Sequence, residues 1–245
     1  VGDIECINLE LVLADSEMVE RRIDRAKKNA KGGDKKFLHE AEVLEGLLAH
    51  LDQGKPARTY PCEPDELALL RQSDLLSLKP VIYAANLDEA GAAAPEDTAY
   101  FRTVRQLAAA EGSQVLPICA KTEQEIAELP PEDQAMFLEE LGMAQSGLDR
   151  LIQCSYTLLG LISFLTAGSD EVRAWTIPRG TRAPQAAGKI HTDFERGFIR
   201  AEVIAFDDLK ALGTMAAAKE KGKVRSEGKD YVMKDGDIVN FLFNV

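Results

Sequence analysis

A chain of 245 residues with 45% hydrophobic and 29% charged residues has the composition of a folded globular protein, not a disordered one. Its length allows one large domain or two to three small ones. The net charge of -12 is uneven, −13 over residues 1–159 and +1 over residues 160–245, so charge favours only the C-terminal part for approach to a polyanion such as RNA.

Leu9, Leu13, Val19, Ile23, Ala26 and Ala30 recur near helical spacing and predict a helix over 9–30. Lys31-Gly32-Gly33-Asp34 breaks it. Leu38, Ala41, Leu44, Leu48 and Leu51 then predict a second helix over 35–52, packed on the first as an antiparallel hairpin. Gly54-Lys55-Pro56 stops it, and a short helix is expected over 64–77. Lys79-Pro80 opens a different pattern. Val81-Ile82-Tyr83-Ala84-Ala85 reads as a strand buried on both faces, followed by a helix over 98–111 and a second buried strand over 114–119. Helices over 131–141 and 147–160 complete the segment, and the strand–helix–strand order implies a parallel sheet. Beyond it, short strands over 161–165, 172–177, 199–205, 231–233 and 238–243, with helices near 183–190 and 214–221, predict a small α+β domain.

No window approaches the roughly 20 apolar residues of a membrane span. Val1-Gly2-Asp3-Ile4 is no secretory signal and has no initiator Met, so the chain is expected to begin inside a longer protein or to have lost residues. Cys6, Cys62, Cys119 and Cys154 are too scattered for a zinc or redox motif and are expected as thiols in a reducing cytosol. His39 and His50 read as plain surface residues of the hairpin.

The run Ala183-Pro184-Gln185-Ala186-Ala187-Gly188-Lys189-Ile190-His191-Thr192-Asp193-Phe194-Glu195-Arg196-Gly197-Phe198-Ile199 is too specific to be generic patterning. With Phe164-Leu165-Thr166-Ala167-Gly168, Glu171-Val172-Arg173-Ala174-Trp175-Thr176-Ile177 and Asp235-Gly236-Asp237-Ile238-Val239-Asn240-Phe241, it resembles the C-terminal TGS domain of the YchF subgroup of Obg-like ATPases. The resemblance implies an α/β fold: a partial P-loop G domain, its parallel-sheet half, with an inserted α-helical hairpin, then an α+β TGS domain of β-grasp, ubiquitin-like fold. Residues 1–8 would end the N-terminal G-domain part, 9–78 form the hairpin insertion, 79–160 the base-recognition half and 161–245 the TGS domain. It further implies a cytoplasmic ATPase that binds Mg²⁺-ATP, takes GTP more weakly, and docks on the large subunit or the intact ribosome, with no membrane or DNA partner.

Two loops carry the base-reading expectation. Asn86-Leu87-Asp88-Glu89 follows the first buried strand, where a GTPase carries N-K-x-D. The N-x-x-E form resembles the ATP-preferring variant: Glu89 is poorly placed for the guanine fork, Asn86 can accept from and donate to adenine, and Leu87 can lie against the base. Alone, such residues after a strand are turn formers. Cys119-Ala120-Lys121 resembles the S-A-K loop whose backbone N–H groups face the base, the Ala120 backbone above all; the plain alternative is a strand end with a solvated Lys121.

No G-x-x-x-x-G-K-[ST] occurs: Gly222 to Gly228-Lys229 has one residue too many and is followed by Asp230. No D-x-x-G switch is evident, so the chain alone is expected to be inactive, with the Mg²⁺ ligands outside it. His191, Asp193 and Glu195 alternate as on one strand face, a spacing open to a metal, although the resemblance makes the run a structural turn with His191 bonded locally. Lys219, Lys221, Lys223, Arg225 and Lys229 read as the densest basic cluster, either a solvated helix end or a contact to ribosomal RNA phosphates. The alternative to the ATPase is a non-catalytic ribosome- or RNA-docking module acting through the hairpin and TGS surfaces.

Overall fold

The chain divides into two units, Val1–Leu151 and Ile152–Val245, in a computed structural model that describes residues 1–168 and 171–244. Ser169, Asp170 and Val245, within the C-terminal domain expected over 161–245, lie outside the described residues.

In the first unit α1 (Gly2–Ala30) and α2 (Lys35–Leu51) form the hairpin. Gly33 takes a left-handed φ of 80° in the turn, and Asp34 caps α2 by accepting the Lys36 N–H at 2.9 Å. The buried stripe of α1 is Val12, Asp15, Val19, Ile23 and Ala26, packed on Val43, Leu44, Leu47 and Leu51 of α2. Leu9, Leu13 and Leu38, expected in the ladder, are exposed instead. The phase was obscured because a carboxylate occupies one core position. Asp15 is fully buried and accepts the Leu76 N–H (2.8 Å), the Ser77 N–H (2.7 Å) and the Ser77 hydroxyl (2.5 Å). It thus fastens the segment after α3 (Pro64–Leu70) to α1. The helix expected over 64–77 ends early: a single 3₁₀ turn follows, and Asp74 adopts a left-handed φ of 49°.

β1 (Ile82–Asn86) and β2 (Gln114–Ile118) pair in parallel, Ala84 opposite Leu116. Between them lie α4 (Glu89–Ala93) and α5 (Ala99–Glu111), the latter stopped by Gly112 at φ 69°. Neither strand is buried on both faces as expected; Ala84 and Asn86 are exposed, because this sheet has two strands among the described residues. α6 (Ala120–Glu128), α7 (Pro131–Glu140) and α8 (Gly147–Leu158) follow, and the chain passes to the second unit within α8.

The second unit is a mixed five-stranded sheet. β3 (Leu161–Ala167), β4 (Val172–Pro178), β5 (Phe198–Ala205), β6 (Arg225–Glu227) and β7 (Asp237–Phe243) lie in the order β4-β3-β7-β5-β6. β7 runs parallel to β3 and antiparallel to β5. One face is covered by α9 (Ala183–Ile190), whose Ala183, Ala186 and Ala187 let the helix approach Phe164, Ile177, Phe198 and Phe241 closely. α10 (Thr192–Arg196) follows α9. Ile204 and Ile238 form a separate, smaller cluster with residues of α11 (Phe206–Leu212) and α12 (Met215–Glu220). The strand expected over 231–233 is an isolated bridge between Val232 and Arg182; the edge strand beside β5 is the polar Arg225–Glu227. No helix among the described residues is long and apolar enough to cross a membrane.

Candidate functional site

The ends of β1 and β2 lie side by side, and three interactions shape what emerges from them. Leu87 N–H donates to the Ile118 carbonyl at 2.8 Å, extending the ladder past β1. Asn86 Oδ1 accepts the Ala120 N–H at 3.0 Å, tying the first loop to the start of α6. Asp88 caps α4 by accepting the Gly91 N–H at 2.7 Å, which turns the chain and sets Glu89 at the first helical position. Glu89 Oε1 then meets Lys121 Nζ at 3.1 Å. This hydrogen bond and charge raise the Lys121 pKa, although both side chains are exposed. Asn86, Leu87, Asp88, Glu89, Cys119 and Lys121 surround an open depression of about 450 Å³, within the range of small-ligand sites.

All five expected base-site residues therefore meet at one place. Half-buried Leu87 and buried Cys119 are the apolar members, and Glu89 and Lys121 the charged ones. The Ala120 N–H ends on Asn86, so Asn86 Nδ2 and Lys121 are the side-chain donors and Glu89 supplies carboxylate acceptors. An adjoining cavity of about 460 Å³ shares Glu89 and Cys119 and reaches Thr122, Glu123, Met143 and Arg150. Sequence reasoning missed Glu123. Its carboxylate accepts the Gly147 and Leu148 N–H groups (2.7 and 3.2 Å), fixing the start of α8, and Arg150 Nη2 donates to the Pro117 carbonyl at 3.0 Å. The polar run Lys121–Glu125 concealed the helix that carries it.

His191 and Asp193 do not share a strand face. His191 caps α10, its Nδ1 accepting the Asp193 N–H at 3.2 Å, and Glu195 belongs to the same short helix. No group of three or more His, Cys, Asp or Glu suited to a metal occurs among the described residues.

The C-terminal basic residues are largely engaged. Lys219 pairs with Glu202 (3.4 Å), Lys223 with Asp208 (3.0 Å) and Arg225 with Glu227 (3.2 Å). Arg225 Nη2 also donates to the Tyr231 hydroxyl (3.0 Å), which donates to Asp237 Oδ2 (2.8 Å). Burial, then the bond to Asp237, pushes the Tyr231 pKa up to about 12. Nor is this the densest basic run. Residues 219–229 hold five basic and two acidic residues, a net +3; residues 21–36, at the turn of the hairpin, hold eight and two, a net +6. The acidic average over residues 1–159 hid that run.

The YchF-GTPase_C family model, described as a protein of unknown function (DUF933), matches residues 161–244. The chain is 52% identical over 245 residues to the ribosome-binding ATPase YchF of Bacillus subtilis (strain 168), covering 100% of this chain and 67% of that protein. It is 51% identical over 243 residues to the ribosome-binding ATPase YchF of Escherichia coli O157:H7, covering 99% and 66%. Among solved structures, the Schizosaccharomyces pombe YchF GTPase superposes with a TM-score of 0.86 at 31% identity, covering 98% of this chain and 65% of that one. The chain thus spans about two thirds of the length of these relatives.

Proposed function

The chain belongs to the YchF subgroup of Obg-like ATPases, and we propose that it is the base-reading and ribosome-docking part of a cytoplasmic, ribosome-associated protein that prefers ATP to GTP. Residues 79–160 are read as the base-recognition half of a P-loop G domain and residues 9–78 as its helical insertion. The TGS reading of residues 161–245 is supported by the first and last strands of the unit lying parallel and adjacent, as in ubiquitin-like β-grasp folds.

The observation that carries the base assignment is the Asn86–Ala120 hydrogen bond, which joins two strand-end loops around one depression. In this reading the base lies against Leu87 and Cys119. Asn86 Nδ2 donates to the base edge, and Glu89, longer than the aspartate of N-K-x-D, is poorly placed to accept from the guanine N1–H and 2-amino pair. Lys121 steadies Glu89 through their ion pair at 3.1 Å. Mg²⁺-ATP, when bound, supplies the phosphoryl chemistry. The phosphate cradle is not among residues 1–245, which contain no G-x-x-x-x-G-K-[ST]. The C-terminal residues Lys219, Lys221, Lys223 and Arg225 are a secondary ribosome contact in this reading, since three of them are held by carboxylates.

The test is base competition in the family-length protein. ATP should displace a fluorescent ATP analogue better than GTP does. Leu87→Lys with Glu89→Asp, which restores N-K-x-D, should move the preference toward GTP, because the shorter carboxylate can accept from both guanine N1–H and the 2-amino group. An unchanged ratio would mean that loop 86–89 does not read the base.

A further inference from the structure

The turn end of the hairpin carries a charge that nothing in the base-site reading uses. Outside residues 21–36, residues 1–159 sum to −19, so this +6 end is an isolated positive pole on an acidic body. Arg21, Arg22, Arg25 and Asn29 of α1, Phe37 of α2 and Gln72 line a depression of about 450 Å³ there. Its members differ in role. Arg22 is mostly buried and held by Glu40, through Nε at 2.8 Å and Nη2 at 2.7 Å, and by the Ser73 hydroxyl, so it forms the fixed floor. Arg21 and Arg25, one helical turn apart on one face, are exposed and have no ion pair among the described residues. Lys28, Lys31, Lys35 and Lys36 flank them, equally exposed and unpaired among the described residues, whereas Lys27 is held by Glu45 at 2.5 Å. Asp34, one of only two acids in the run, is occupied in capping α2.

We propose that this end of the hairpin is an RNA-docking surface that holds an unpaired nucleotide, with phosphates on Arg21 and Arg25 and the base against Phe37. Paired phosphates and an acidic body that repels RNA elsewhere orient the approach end-on. The half-buried Phe37 ring, beside the Asn29 and Gln72 amides, separates RNA from an acidic protein as the partner. A ring gives an unstacked base a platform, and amides match base edges, whereas a carboxylate-rich peptide needs neither. The inference deepens the ribosome reading by giving it a face, and rests on it only for which RNA is met.

The test is fluorescence anisotropy of the 1–245 chain with a labelled single-stranded RNA of about 12 nucleotides across a salt series. Arg21→Ala with Arg25→Ala should weaken binding and lower the slope of log affinity against log salt by about 1.4, at about 0.7 per single-strand phosphate contact. Phe37→Leu keeps an apolar side chain and should weaken binding at least about fivefold with the slope unchanged. Lys79→Ala with Lys189→Ala, two exposed charges outside the cluster, should bind as wild type. The proposal is overturned if wild type does not bind, if the arginine variant keeps the wild-type slope, or if Phe37→Leu has no effect. A blunt duplex bound as tightly as the single strand overturns it too, as does polyglutamate competing as well as RNA. Ribosome co-sedimentation of the same variants separates the two readings. Oligonucleotide binding without ribosome binding sinks only the ribosome reading, and the reverse sinks only this surface.

Discussion

Replacing Asp15 tests the account of how the hairpin is closed. Its carboxylate is fully buried and receives three donors from Leu76 and Ser77, and the Ser77 hydroxyl in turn accepts the Ala57 N–H at 3.0 Å. Asp15→Asn keeps the volume but puts an amide NH₂ where an oxygen accepted. If the remaining oxygen serves Ser77, the Leu76 N–H is orphaned, which costs about 1–3 kcal/mol, and two charge-assisted bonds become neutral, at about 0.5–1 kcal/mol each. The expected loss is about 3 kcal/mol, or a fall in urea midpoint of about 1.5 M at a slope of about 2 kcal/mol/M. Asp15→Ala orphans all three donors and should cost more. The probes separate the units: most of the helix behind the far-UV ellipticity lies in the first unit, α1 and α2 being its longest helices, whereas Trp175, the only tryptophan, lies in β4 of the second unit. The ellipticity midpoint should fall and the Trp175 fluorescence midpoint stay. A loss below about 1 kcal/mol, or equal shifts of both probes, would refute the reasoning.

Tyr231, with its pKa raised to about 12 by burial and by Asp237, favours the folded second unit in its protonated form. That contribution is complete below the unfolded value near 10 and disappears as pH rises toward 12, so the Trp175 midpoint should fall more steeply over that window in wild type than in Tyr231→Phe. At Gly197 an added Cβ would stand 2.0 Å from the Asn244 carbonyl oxygen, where the Asn244 N–H also donates to the Gly197 carbonyl (2.9 Å). Gly197→Ala should therefore cost about 1–3 kcal/mol on the Trp175 probe alone, and an unchanged midpoint would contradict the contact. The purified 1–245 chain should release no phosphate from ATP above buffer, because positioning and neutralising the phosphates need groups it does not carry; measurable turnover would disprove this.

Legibility followed hydrophobic content. β1, β2, β3, β4, β5 and β7 were readable because apolar residues at strand spacing mark them. α6 was not, since Lys121-Thr122-Glu123-Gln124-Glu125 offers little apolar pattern, nor was β6, whose Arg-Ser-Glu is held by backbone pairing to β5. α10 was not seen as a helix because five residues are too short to show its period, although the local bond expected of His191 is there, as the cap on the Asp193 N–H. The base-loop residues were found by their order after two strands, but the Asn86–Ala120 bond and the Glu89–Lys121 pair span more than 30 positions and leave no local trace. Arg225 looked like surface charge because its neighbours Tyr231 and Asp237 are brought to it only by folding.

The place of β7 in its sheet has a consequence for synthesis. Residues 237–243 are the last strand of the second unit to be made, yet they lie between β3 and β5 and give each of them its second partner. Until they emerge, the β3–β4 hairpin and the β5–β6 pair cannot join, and the apolar faces that α9 covers stay apart. A nascent chain halted before residue 237 therefore presents two unclosed strand edges, the state most open to a chaperone or to misassociation. Its β3–β7 contact bridges some 70 residues, so closure of this unit is a late, long-range event, whereas the α1–α2 hairpin can form as soon as its turn is complete.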